Sequence, residues 1–117
     1  MISGINLNEV VEFTLPDDKE NPTVWKLGLI PSGLLAQIGG KGKDNPIEVT
    51  LTLLQVGLKG WSNFGDVVYA TEKKELCGQS VDVVPIGLIN QIPLNAMMAL
   101  SEKLIEINHL TPPERKN

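Results

Sequence analysis

The stretch Gly57-Leu58-Lys59-Gly60-Trp61-Ser62-Asn63-Phe64-Gly65-Asp66 constrains this chain more than any other. It holds three glycines and two large aromatic side chains. Glycine frees the backbone where it must turn sharply. Tryptophan and phenylalanine supply most of the burial energy that one local cluster can gather. An apolar run precedes the stretch and a β-branched run, Val67-Val68-Tyr69-Ala70-Thr71, follows it. It therefore reads as a hinge, with Trp61 and Phe64 expected to pin the turn against the last helix. The stretch by itself does not supply chemistry.

Such a hinge needs a core to lean on, and the composition provides one. The chain has 117 residues, 42% of them hydrophobic and 21% charged, which fits one globular domain and not a disordered one. A net charge of −4 disfavours general nucleic-acid binding, which needs a basic stripe to displace counterions. No run of apolar residues is long enough for a membrane span, and the N-terminus lacks a basic flank and long apolar core of the signal-peptide kind. Cys77 is the only cysteine, so neither an internal disulfide nor a cysteine-based zinc cluster can form. A reducing, intracellular site of synthesis is expected.

Along the chain, Val11, Phe13 and Leu15 alternate with Glu12 and Thr14, which suits a half-buried strand within 9–15. Prolines bracket the polar turn 16–22. Thr23 to Ile30 reads as a second strand with Trp25, Leu27 and Leu29 on one face, completing a hairpin. Residues 31–38 read as one or two helical turns ended by Gly39-Gly40. The loop Lys41-Gly42-Lys43-Asp44 is solvated surface, since it has no GK[ST] ending and no buried strand before it.

Residues 45–58 carry two periodicities. Asn45, Pro46 and Glu48 are a cap residue, a first-turn proline and a capping-box acid. Ile47, Leu51, Leu54 and Leu58 share a helical stripe, while Ile47, Val49, Leu51 and Leu53 also alternate as in a strand. The cap chemistry favours helix. After the hinge, 67–71 reads as a strand, Glu72 to Ser80 as a charged loop, and Ser80 to Val84 as extended. Ile86, Leu88, Ile89 and Ile92 fit a short helix broken by Pro93. A longer helix from Pro93 to about Asn108 has an apolar arc of Leu94, Met97, Met98, Leu100, Leu104, Ile105 and Ile107, with Asn95, Glu102, Lys103 and Glu106 opposite. These elements make an α+β fold: a small, mostly antiparallel sheet from the N-terminal hairpin and 67–71, packed by the helix after Asn45 and a C-terminal amphipathic helix.

Candidate chemistry is sparse. His109, the only histidine, stands at a helix end and reads as a helix-terminal surface residue, because catalytic use demands identifiable partners. Lys73 and Lys74 lie near Cys77 and would favour its thiolate, but no histidine stands beside it in sequence, so it reads as an incidental loop thiol. The carboxylates show no calcium-loop spacing. No catalytic set, cofactor motif or metal-ligand set is read, and an enzyme ranks third among the functions considered. Trp25, Trp61 and Phe64 are structural anchors.

Three stretches carry a resemblance. The Gly57–Asp66 stretch is followed by an extended segment and a last helix ending in N-x-L-T-x-x-E-x-K-N, here Asn108, Leu110, Thr111, Glu114, Lys116 and Asn117. The stretch Asn21-Pro22-Thr23-Val24-Trp25-Lys26-Leu27-Gly28 resembles a P-T-v-f/w-k-L-G segment. In this order they resemble small tailed-bacteriophage proteins of the virion structural-gene module, often described as tail-assembly-chaperone-like. The segment Lys73–Ser80 departs from them in being longer and more charged. The resemblance implies a non-enzymatic role in virion assembly, or a minor virion component, in the host cytoplasm during assembly and in the particle if retained. Its partners would be phage structural proteins or further copies of itself, with neither nucleic acid nor membrane involved. The competing reading is a phage-encoded inhibitor of a host protein. Residues 109–117, poor in core residues, read as a tail or a partner-contacting arm, with His109, Thr111, Glu114, Lys116 and Asn117 as candidate contacts.

Overall fold

The structure, a computed structural model, describes residues 4, 7–40, 46–76 and 78–109. The elements in chain order are β1 (Val10–Phe13), β2 (Val24–Gly28), α1 (Ser32–Gly40), α2 (Pro46–Gly57), β3 (Leu58–Ser62), β4 (Glu72–Leu76), β5 (Gln79–Val83), α3 (Ile86–Ile89) and α4 (Leu94–His109). Among the described residues they form two small antiparallel sheets, β1-β2-β3 and β4-β5, with α4 packed on α2. The expected α+β class is observed.

Residues 46–57 are helical, as the caps favoured, and α2 passes into β3 with no linker. Gly57 makes the junction possible. A Cβ there would come within 2.5 Å of Leu104 Cδ2, so only a residue without one lets α4 approach this end of α2. The buried surface of α2 differs from the expected stripe. Ile47 is 73% exposed, and Leu58 belongs to the strand. Leu54 enters a core with Trp25, Leu27, Leu58, Trp61, Leu100 and Leu104, while Leu53 and Val56 enter a second with Ile30, Leu34, Ile38 and Val83. A helix buried between two clusters is apolar on two sides, which blurs a single-stripe reading. Each such fully buried aliphatic side chain contributes roughly 1.5–3 kcal/mol.

The third strand of the main sheet is Leu58–Ser62, not 67–71. Residues 67–71 instead run as irregular chain beside β3, and Val68 is exposed. Two side-chain bonds hold this run in place: Trp61 Nε1 donates to Val67 O at 2.9 Å, and Tyr69 Oη donates to Leu58 O at 2.7 Å.

Glu72 to Ser80 is likewise not a loop. It forms most of the β4–β5 hairpin, with Gly78 at φ +79° in its turn. Alternation is confined to β5, while the four consecutive charges of β4 all remain exposed. Leu76, Val81 and Val83 pack on the second core, while Lys73 sits opposite Asp82 and bonds it at 2.8 Å on the solvent side. Cys77 lies outside the described residues.

Two further expectations are corrected in detail. Beyond Gly28 the strand β2 ends, and Ile30 is fully buried while Leu29 is half-buried. In α4 the buried line is Ala96, Leu100 and Leu104, whereas Leu94, Met98 and Ile105 face outward. Lys103, placed on the polar side by sequence, lies with its Nζ 6.0 Å from the Phe13 ring centre.

Candidate interaction site

The aromatic anchors assemble into one cluster. Antiparallel pairing sets Trp25 of β2 opposite Trp61 of β3, with ring centres 6.1 Å apart in an edge-on arrangement. Phe64 lies 4.9 Å from Trp25 and 5.5 Å from Trp61, and Tyr69 lies 4.9 Å from Trp61. These are the tilted and edge-to-face contacts that aromatic quadrupoles favour. Two separated sequence stretches thus converge, and the last helix contributes Ala96, Leu100 and Leu104 to the same core. Trp61 and Phe64 accordingly share a core with α4, while their direct ring partners are Trp25 and Tyr69.

The turns on either side of this cluster are clasped together. Asn21 at φ 49° and Asn63 at φ 60° both occupy the left-handed region, which asparagine tolerates better than most residues. Asn63 Nδ2 donates to Asn21 O, and Thr23 Oγ1 donates to Asn63 O at 2.8 Å. Within the first turn, Asp18 N donates to Leu15 O at 3.1 Å and Asp18 Oδ2 accepts from Thr23 N at 2.8 Å. A groove of about 390 Å³ opens between this turn and the start of α4. Trp25 and Phe64 line it, Ala96 and Ala99 contribute from α4, and Asp17 and Asp18 supply its charge.

The three ring polar groups of the cluster differ in satisfaction. Trp61 and Tyr69 donate to backbone carbonyls, as above. Trp25 is 2% exposed and its Nε1–H has no acceptor among the described residues. Buried indole N–H groups usually find a partner, so this one stands out.

Two ionisable groups in or beside β3 have shifted pKa values. Burial lowers the Lys59 pKa, and the Asp82 carboxylate partly offsets that. Burial raises the Tyr69 pKa, and Asp82 raises it further. The Lys59 stem lies where a Cβ on Gly28 would stand. Among the described residues no group of three His, Cys, Asp or Glu side chains could hold a metal ion. No described helix is long and apolar enough to cross a membrane.

Of the candidates named from sequence, Trp25, Trp61 and Phe64 are brought together. His109 is the final residue of α4, but its side chain lies outside the described residues, as do Thr111, Glu114, Lys116 and Asn117. Sequence reasoning missed Asp17, Asp18, Ala96 and Ala99 as groove residues, because a turn and a helix face give no sign of what they will meet. It also missed the role of Asn108 described below. No protein-family model, curated protein or solved structure matches this chain.

Proposed function

We propose that this chain is a non-enzymatic bacteriophage protein acting in virion assembly, in particular of the tail, through protein–protein contacts. One observation supports the reading: two of the stretches that bear the phage resemblance, and Asn108 at the start of the third, meet in one structural unit. Val24 to Leu27 pairs with Leu58 to Ser62 as neighbouring strands. Asn108, the first residue of the C-terminal pattern, accepts from Ile30 N at 2.7 Å and donates to Gly28 O at 3.3 Å. Stretches that hold each other in place have a structural reason to occur together in one chain. In this reading Trp61 and Phe64 make the fold, and residues 109–117 are the partner-contacting arm.

The test is genetic. Deleting the gene from its phage should abolish or malform tails in electron micrographs, with rescue by the full chain but not by a chain lacking Thr111–Asn117. Normal particles from the deletion would refute the assembly role. If the deletion makes normal particles yet fails to establish infection, the host-protein inhibitor is the better reading. Mass spectrometry of purified virions separates a retained subunit from a factor that leaves.

A further inference from the structure

We propose that the groove between the β1–β2 turn and the start of α4 receives residues 111–116 of a second copy of this chain. The inference rests on reading the C-terminal residues as a partner-contacting arm, but not on the phage assignment. Four features of the groove match that segment, Thr111-Pro112-Pro113-Glu114-Arg115-Lys116.

Trp25, buried and lining the groove, holds an indole N–H without an acceptor among the described residues. Phe64, half-buried, makes an aromatic wall, while Ala96 and Ala99 are small enough for a backbone to come close. Aromatic grooves of this kind bind proline-rich segments, whose extended form is largely preset and costs little entropy to dock. Proline contributes no N–H, so the segment presents carbonyl acceptors, the group that Trp25 lacks. At the rim, Asp17 is exposed and Asp18 has one carboxylate oxygen engaged by Thr23. Arg115 and Lys116 supply the opposite charge. Trp25 Nε1 is shielded from solvent in the free chain, so docking includes a small outward movement of the groove wall.

Reach decides between the chain's own segment and another copy's. Pro113 is four residues beyond His109, a span of about 14 Å at full extension. Ala99 and Ala96 precede the end of α4 by ten and thirteen residues, about 15–20 Å at the helical rise. Even fully stretched, and with no allowance for reversing direction, the proline pair falls short of its own groove. It docks in trans, either reciprocally between two copies or head to tail around a ring.

Sedimentation velocity of the full chain over a concentration series tests this. The expected result is mass rising with concentration, and a dissociation constant raised about tenfold or more, ~1.4 kcal/mol, by Pro112→Ala with Pro113→Ala. Asp17→Lys alone should weaken association similarly, and adding Arg115→Glu and Lys116→Glu to it should restore part of the loss. These positions are a surface aspartate and arm residues, and an unchanged melting temperature confirms that each variant folds. The Trp25 indole N–H resonance, assigned with Trp25→Phe, should shift on association. A single-copy mass at every concentration would overturn the proposal, as would association indifferent to these substitutions or a Trp25 resonance that does not move. Overturning it equally, a single-copy chain that binds a synthetic proline-rich peptide with C-terminal arginines would place a foreign partner in the groove. If removing Thr111–Asn117 blocks particle assembly yet leaves association intact, the arm reading survives and self-docking does not.

Discussion

Asn108 and Ile30, 78 residues apart, are joined by a 2.7 Å hydrogen bond from the Ile30 amide to the Asn108 side-chain oxygen. The same side chain donates to Gly28 O at 3.3 Å and Leu104 O at 2.9 Å. It thereby ties the C-terminal end of α4 to the Ile30 amide and the Gly28 carbonyl of the chain leaving β2. The Ile30 amide lies between β2, which stops at Gly28, and α1, which begins at Ser32, so neither a sheet nor a helix ladder serves it. Asn108→Ala is expected to cost about 1–3 kcal/mol, the range for stranding partly buried polar groups. Asn108→Asp should also destabilise, because it loses both donated bonds and adds negative charge at a helix C-terminus. Urea denaturation of both variants checks this; midpoints at the wild-type value would show that water replaces the side chain.

Gly57 and Leu104 form a second fixed point, where α2, β3 and α4 meet. Gly57→Ala forces a Cβ against both Leu104 methyl groups, at 2.5 and 2.8 Å, and should cost roughly 1–3 kcal/mol by overpacking. Leu104→Ala alone should cost about 2–5 kcal/mol through the cavity it leaves. The two are coupled: in the Leu104→Ala background, Gly57→Ala should cost much less than in the wild type. Additive losses in a double-mutant cycle would show that the helix ends do not pack as described.

Trp61 is nearly buried and holds the irregular run after β3 through its bond to Val67. Trp61→Ala should therefore lose about 3–5 kcal/mol. Trp61→Phe keeps most ring contacts and loses the bond, for about 1 kcal/mol. Calorimetric melting distinguishes them, and an alanine variant with an unchanged melting temperature would mean the ring is a surface contact.

How much of this was legible beforehand depends on whether a signal was local. Pro46 and Glu48 marked the start of α2 correctly, because cap chemistry acts within one turn. The burial of that helix was misread at Ile47, since two separate clusters, not one stripe, take up its apolar side chains. Val67–Thr71 has strand composition, yet Leu58–Ser62 occupies the sheet position beside β2, a choice made by tertiary pairing and not by β propensity. The β4–β5 hairpin was hidden by four consecutive charges in β4, which all stay exposed while Leu76, Val81 and Val83 supply the contact with the second core. At the candidate site Trp25 and Phe64 were legible as anchors because large aromatics are seldom idle. The groove was not, as it exists only once the turn at Asp17 and the α4 alanines are side by side.

The charged hairpin separates surface pairing from burial. Lys73 and Asp82 bond across the strands, but their side chains are 72% and 61% exposed. After screening, such a pair contributes at most a few tenths to about 1 kcal/mol, so Lys73→Ala should scarcely move the unfolding midpoint. Val83, fully buried on the opposite face, is a different matter. Val83→Ala should cost about 1–3 kcal/mol from lost burial. The reverse ranking would mean that charge, not the second core, holds the hairpin down.

Tyr69 offers the clearest pH measurement, because it is the only tyrosine. Burial, and then the Asp82 carboxylate, hold its pKa above the ordinary value of about 10. The unfolded chain therefore loses this proton first as pH rises. The stability Tyr69 contributes is whole below about pH 10 and is lost as pH climbs through its raised folded value. Lys59 acts in the opposite sense. Burial lowers its pKa, with Asp82 partly offsetting, so its burial penalty is relieved as pH rises from that lowered value towards 10.5. Tyrosinate absorbance in the folded chain should rise at higher pH than in the denatured chain. Asp82→Asn should bring the folded transition back down, and Tyr69→Phe should remove the alkaline loss while leaving the Lys59 gain. A folded-state titration matching the denatured one would show Tyr69 to be solvated, and with it that the run beside β3 is not held by the Leu58 carbonyl.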